Sequence, residues 1–154
     1  MADKTVQVST QIARDADALY DMVSELTDMG KWSPENTGGK WVGGATGPAV
    51  GAKFRGSNRT GWRRWSTTAE VTEAERGKRF VFRVTFAAVP IAEWKYEFQP
   101  SGTATQVTET WTDLRPWWMD KGSAPVMGVW DRPEHNRKNM EATLASLKSA
   151  AEAK

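Results

Sequence analysis

The chain has 154 residues, the size of one domain, and its 21 Lys and Arg against 19 Asp and Glu leave a formal charge of +2, too small to imply a nucleic-acid partner. With no cysteine and one histidine, disulfides and thiolate chemistry are excluded and metal chemistry is limited, so a cytoplasmic protein without metal is expected. No apolar run reaches the roughly 18 residues needed to span a bilayer, so stable membrane insertion is not expected either.

In chain order, Val6, Val8, Thr10 and Ile12 alternate with Gln7, Ser9 and Gln11, a period of two that predicts a half-buried first strand. Asp15 is placed to cap a helix in which Leu19, Met22, Val23 and Leu26 make one apolar stripe. Trp32-Ser33-Pro34-Glu35 ends the helical region, because proline disfavours helix in the residue before it.

From Gly38 to Leu114 no helical period exists. Strand-like runs at 39–44, 51–59, 62–75, 79–87, 91–99 and 104–114 are separated by Gly-, Pro- and charge-rich turns, a pattern that predicts an antiparallel meander. Residues 116–130, with Trp117, Trp118, Met119, Met127 and Trp130 among glycines and prolines, look like an apolar connector that either gates a cavity or docks a partner. Beyond Pro133, Met140, Leu144, Leu147 and Ala151 line one face of a closing amphipathic helix. Helices segregated from an antiparallel sheet predict a single α+β domain over 1–154, its last helix covering the concave face.

Strand parity identifies the inner side chains. Ala69 and Val71 fix the odd positions of the 62–75 strand as inner, which turns Arg63 and Trp65 inward; Phe54 fixes the even positions before it, which turns Asn58 inward. A Thr60-Gly61 turn would pair Asn58 with Arg63. Arg55, Arg59 and Arg64 then point to solvent. In the 104–114 strand Val107 and Trp111 face inward with Glu109 between them, a carboxyl that must be protonated, hydrogen-bonded or paired, with Arg63 and Asn58 as expected partners. A structural network and a ligand-orienting site both fit that placement. Phe86, Trp94 and Tyr96 are the pocket candidates of the aromatic strands, while Phe80, Phe82 and Phe98 suit core packing. His135 falls off the closing helix's apolar line, so a solvent-facing or capping role is expected of it.

Taken together, Ile12-Ala13-Arg14 before a helix, Trp32-Ser33-Pro34-Glu35, Gly51-Ala52-Lys53-Phe54-Arg55-Gly56-Ser57-Asn58, Trp65, Val71-Thr72-Glu73, Trp94-Lys95-Tyr96, Gly102-Thr103 and Val107-Thr108-Glu109 resemble the polyketide cyclase/dehydrase and lipid-transport branch of the START-like (SRPBCC) superfamily. The resemblance covers nearly the whole chain. It implies a helix-grip fold: seven curved antiparallel strands around a long C-terminal helix, two short helices after the first strand, and a deep apolar cavity. Catalytic residues differ between subgroups, so it transfers no catalytic role to a position here.

The expected function is binding or carriage of a hydrophobic small molecule, such as a lipid, sterol or polyketide, with Glu109, Asn58 and Arg63 orienting its polar end. Trp32, Phe54, Trp65, Phe86, Trp94 and Tyr96 would line the cavity, joined by Trp111, Trp118, Met127, Trp130 and Met140. The alternative is a cyclase- or dehydrase-like enzyme in which buried Glu109 exchanges protons. No cofactor is expected, since glycine-rich Gly43-Gly44-Ala45-Thr46-Gly47 lacks the strand-to-helix context of a nucleotide loop. Monomer and homodimer are both compatible with the sequence.

Overall fold

The computed structural model describes residues 5–32, 36–44, 47–60, 62–86, 88–116 and 132–153; the side chains of Met29, Asn36, Thr37, Thr60, Arg63, Arg132 and Pro133 are not among what is described. Strand β1 (Thr5–Ile12) buries Val6 and Ile12 and exposes Gln7, Ser9 and Gln11, as its alternation requires. Helix α1 (Ala16–Ser24) starts where the Asp15 carboxylate accepts the Ala18 N–H at 3.0 Å. Leu19 and Val23 are buried, as is Leu26 in the 3₁₀ turn that follows (Leu26–Lys31), while Met22 is half-buried.

The meander runs β2 (Asn36–Val42), β3 (Lys53–Thr60), β4 (Arg63–Glu75), β5 (Arg79–Phe86), β6 (Val89–Ser101) and β7 (Ala104–Asp113). All pairings are antiparallel, and the spatial order is β1-β7-β6-β5-β4-β3-β2. Consecutive strands β1 and β2 therefore form opposite edges. The two short helices bridge them, α1 against β5 and β6 and the 3₁₀ turn against β2. Register breaks near Thr72, Ile91 and Thr37 each insert an extra residue, and such bulges increase local twist and bend a sheet around whatever fills its inner face.

Two hairpins differ from the expected registers. Between β3 and β4 Thr60 is still paired, opposite Arg63, and Asn58 lies opposite Trp65. A β-branched threonine is better placed in a strand than in a tight turn, and the displacement of two residues leaves the inward parity intact. Between β6 and β7 the strands continue through Pro100 and Ser101, so that Gly102 and Thr103 alone make the turn. Gly102 has φ 64°, the left-handed conformation that tight hairpin turns demand. Pro100 is tolerated because it lies beyond the last ladder partner on β5, the pair Arg79 and Glu97.

Helix α2 (Arg132–Glu152) packs along β1 and β7 through Met140, Leu144, Leu147 and Ala151, all buried. Its C-terminal end is tied to the end of β1: the Arg14 guanidinium donates to the Ala151 carbonyl at 3.1 Å, and Lys148 Nζ donates to the Gln11 carbonyl. A cation at a helix C-terminus meets carbonyls that have no partner within the helix. His135 is half-buried and within 3.1 Å of the Asn139 side-chain amide.

Packing is uneven along the inner face. At one end Tyr20 of α1 stands edge-on to Phe80 and Phe98, with ring centroids 5.8 and 6.0 Å away, and Ile12, Leu19, Phe80, Val107 and Leu147 are almost wholly buried. At the other end Trp65, Thr67, Phe86 and Trp94 face inward yet are only half-buried.

Candidate functional site

The register of β6 and β7 sets Tyr96 directly opposite Glu109, and Trp94 opposite Trp111, one step along the same inner face. The Tyr96 hydroxyl donates to Glu109 Oε2 at 2.7 Å, and both residues are 2% exposed. The other oxygen, Oε1, is buried and has no hydrogen-bond partner among the described residues. Burial pushes the Glu109 carboxyl up to about 8, against the downward pull of the Tyr96 hydrogen bond. Burial, followed by the Glu109 charge, raises the Tyr96 hydroxyl well above its ordinary value. At neutral pH the pair is therefore a neutral acid held by a neutral phenol.

A protonated carboxyl whose Oε2 already accepts from a phenol carries its own O–H on Oε1, which meets no acceptor among the described residues. One shell outward, the Trp94 and Trp111 rings lie 6.5 Å apart, giving an apolar wall beside a single free polar atom. Trp32 contributes a second buried donor with no partner among the described residues, its indole Nε1. Leaving such groups unpaired costs about 1–3 kcal/mol each, unless something else completes them.

The described partner of Glu109 is Tyr96 and not Asn58, which lies on β3, four strands from β7. Asn58 instead donates to Thr67 Oγ1 at 3.0 Å. Of Arg63 only the backbone is described, opposite Thr60. Trp65 and Phe86 join the half-buried end of the inner face, whereas Phe54 is buried against Trp41, ring centroids 5.4 Å apart. Met140 is fully buried on α2. Trp118, Met127 and Trp130 lie outside the described residues, as does most of the connector at 116–130.

One ion pair escaped the sequence reading. Asp113 falls on the same face as Glu109, four residues on and about 13 Å along the strand. Arg115 grips it with Nε at 2.9 Å from Oδ1 and a second nitrogen at 2.8 Å from Oδ2, both side chains nearly buried. The parity that turned Glu109 inward extends to Asp113 and could have found it. Among the described residues no three acidic or histidine side chains converge on a point where a metal ion could sit.

A family model described as polyketide cyclase/dehydrase and lipid transport matches residues 3–152. The chain belongs to this family. No curated protein matches it. Among solved structures, a polyketide-cyclase-like protein from Corynebacterium glutamicum is 30% identical, over 96% of this chain and 90% of that one, with a TM-score of 0.64. A START superfamily protein from Mycobacterium smegmatis (13% identical, 97% of each chain, TM-score 0.72) shares the fold. So does a di-domain ARO/CYC protein of the steffimycin biosynthetic pathway (13% identical, TM-score 0.75), for which 97% of this chain covers 51% of that one. The seven-stranded curved sheet, the C-terminal helix and the short helices after β1 are the helix-grip architecture of this polyketide cyclase/dehydrase and lipid-transport family.

In this family member the phenol of Tyr96 has a measurable job. Tyr96→Phe is expected to cost about 1–3 kcal/mol in urea unfolding, because Oε2 loses its only donor. It should also raise the Glu109 pKa further, since the hydrogen bond that lowers it is gone. A carbon-13 titration of the Glu109 carboxyl checks this, and an unchanged or lowered midpoint would contradict the assignment.

Proposed function

We propose that the chain is a cytoplasmic, single-domain binding or carrier protein for an apolar small molecule of the lipid, sterol or polyketide kind, held against the inner face with its polar end at Glu109. The observation that carries this reading is the free Oε1 of a buried carboxyl beside the Trp94 and Trp111 rings. A cavity of this type needs a largely apolar wall and a few convergent polar groups, and this face supplies both. Because the carboxyl is neutral near pH 7, it donates a hydrogen bond, which suits a carbonyl or hydroxyl oxygen on an uncharged ligand. Family membership supports the ligand class.

Titration with a panel of lipids, sterols and aromatic polyketides, followed by tryptophan emission, tests the reading. A compound that quenches emission with one-to-one stoichiometry, and binds about tenfold or more weaker to Glu109→Ala, is the expected result, since the lost hydrogen bond is of that size. Equal affinity in Glu109→Ala would remove Glu109 from the site.

A second reading, a cyclase- or dehydrase-like enzyme, is favoured by one observation. A carboxyl near pKa 8 in hydrogen-bond contact with a phenol can give and take protons near neutral pH. Turnover of a poly-β-keto substrate that disappears in Glu109→Gln while binding persists would support it over simple carriage.

A further inference from the structure

Between Glu35 and Glu70 the sequence holds six cations, Lys40, Lys53, Arg55, Arg59, Arg63 and Arg64, and no acid. The pairing sharpens this imbalance. On the outer face Arg59 stands directly opposite Arg64, and Lys40 directly opposite Arg55. Like charges so placed in a sheet are destabilising, and Lys40, Arg55, Arg59 and Arg64 are exposed and make no ion pair among the described residues.

The rest of that outer face is built differently. Arg79 meets Glu73 at 3.2 Å and Glu97 at 3.7 Å, Arg83 meets Glu93 at 3.7 Å, and Lys95 meets Glu97 at 3.8 Å, so the charges on β4, β5 and β6 neutralise each other across the strands. On the β2–β3–β4 side Lys53 stands opposite Glu70, but among the described residues Lys40, Arg55, Arg59 and Arg64 keep their charge uncompensated. At its end, between Thr60 and Arg63, Trp62 is 80% exposed, the most exposed large apolar side chain among the described residues.

From this arrangement we propose that the β3–β4 hairpin end is a docking surface for an anionic lipid bilayer, with the Trp62 indole entering the headgroup layer and Arg59, Arg64 and Arg55 meeting lipid phosphates behind it. An amphipathic indole ahead of a band of cations is the composition that partitions to a bilayer interface and gains from its negative surface potential. The surface is one hairpin tip on a chain of net charge +2, narrower than the extended basic face that nucleic acid requires. The contact is peripheral, since no helix among the described residues is long and apolar enough to cross a membrane. It stands independently of the ligand reading.

The test is co-sedimentation of the full chain with phosphatidylcholine vesicles, with and without about 30 mol% phosphatidylserine, at salt from roughly 0.05 to 0.5 M. Binding is expected to require phosphatidylserine and to fall with salt. The Arg59→Gln, Arg64→Gln double variant should bind about thirty-fold more weakly, with a thermal midpoint unchanged or slightly raised because a like-charge pair has gone. Trp62→Ala should bind several-fold more weakly while keeping the salt dependence. Absence of binding, equal binding to neutral vesicles, or full binding by the double variant would overturn the proposal. So would tighter binding to a single-stranded oligonucleotide lost in the same variants, which would assign the surface to nucleic acid.

Discussion

Glu109→Gln should make the protein more stable than wild type above pH 8 and leave it equal only below about pH 4. In the unfolded chain this carboxyl ionises near its ordinary 4.5, whereas in the folded protein it holds its proton to about 8. Between those values the folded state binds the extra proton, so its stability falls as pH rises. The loss is absent below about pH 4.5, accumulates at about 1.4 kcal/mol per pH unit, and levels off above about pH 8 at on the order of 4–5 kcal/mol. Glutamine has the shape of the neutral carboxyl and no proton to lose. Urea denaturation of both proteins from pH 5 to 9 measures the difference directly, which corresponds to roughly 10 °C or more in thermal midpoint. A difference that stays constant over that range would mean that Glu109 is ionised in the folded protein, and the neutral-acid account would fail.

The second large effect separates the two ends of the inner face. Phe80→Ala should cost about 3–5 kcal/mol, because Phe80 is fully buried between Tyr20, Phe82 and the adjoining strands, and the cavity left behind cannot collapse. Trp65→Ala should cost under about 1 kcal/mol without ligand, because Trp65 faces inward at the half-buried end where little packs on it. Tryptophan is the larger side chain, so residue size alone predicts the opposite order. Comparable costs for the two would show that the inner face is a closed core from end to end, with no room for a ligand beside Trp65.

Strand parity and helical period made the fold legible, since both depend on local geometry that the residues cannot evade. The stripe of Met140, Leu144, Leu147 and Ala151, the Asp15 cap and the inward placement of Glu109 all follow from such spacing. The partner of Glu109 was illegible for a different reason. Parity gives the face but not the neighbour, and the neighbour depends on where a hairpin turns. A turn at Pro100–Thr103 sets Tyr96 opposite Val107, whereas the turn at Gly102 and Thr103 sets it opposite Glu109, so a change of two residues decides whether the acid has a phenol beside it.

The same limit applies to Asn58. Its inward parity was readable, but its distance from β7 follows from the order of seven strands, a property of the whole sheet. The outward placement of Arg55, Arg59 and Arg64 was legible from parity but their juxtaposition was not, because only pairing reveals that Arg59 faces Arg64 while the arginines of β5 face acids.

Native mass spectrometry of the purified protein, with organic extraction of whatever accompanies it, tests the central claim most directly. One uncharged apolar molecule per chain, carrying a carbonyl or hydroxyl oxygen and lost from Glu109→Ala, is the expected result. A chain that is empty as purified, and that takes up no lipid, sterol or polyketide when these are supplied, would contradict it.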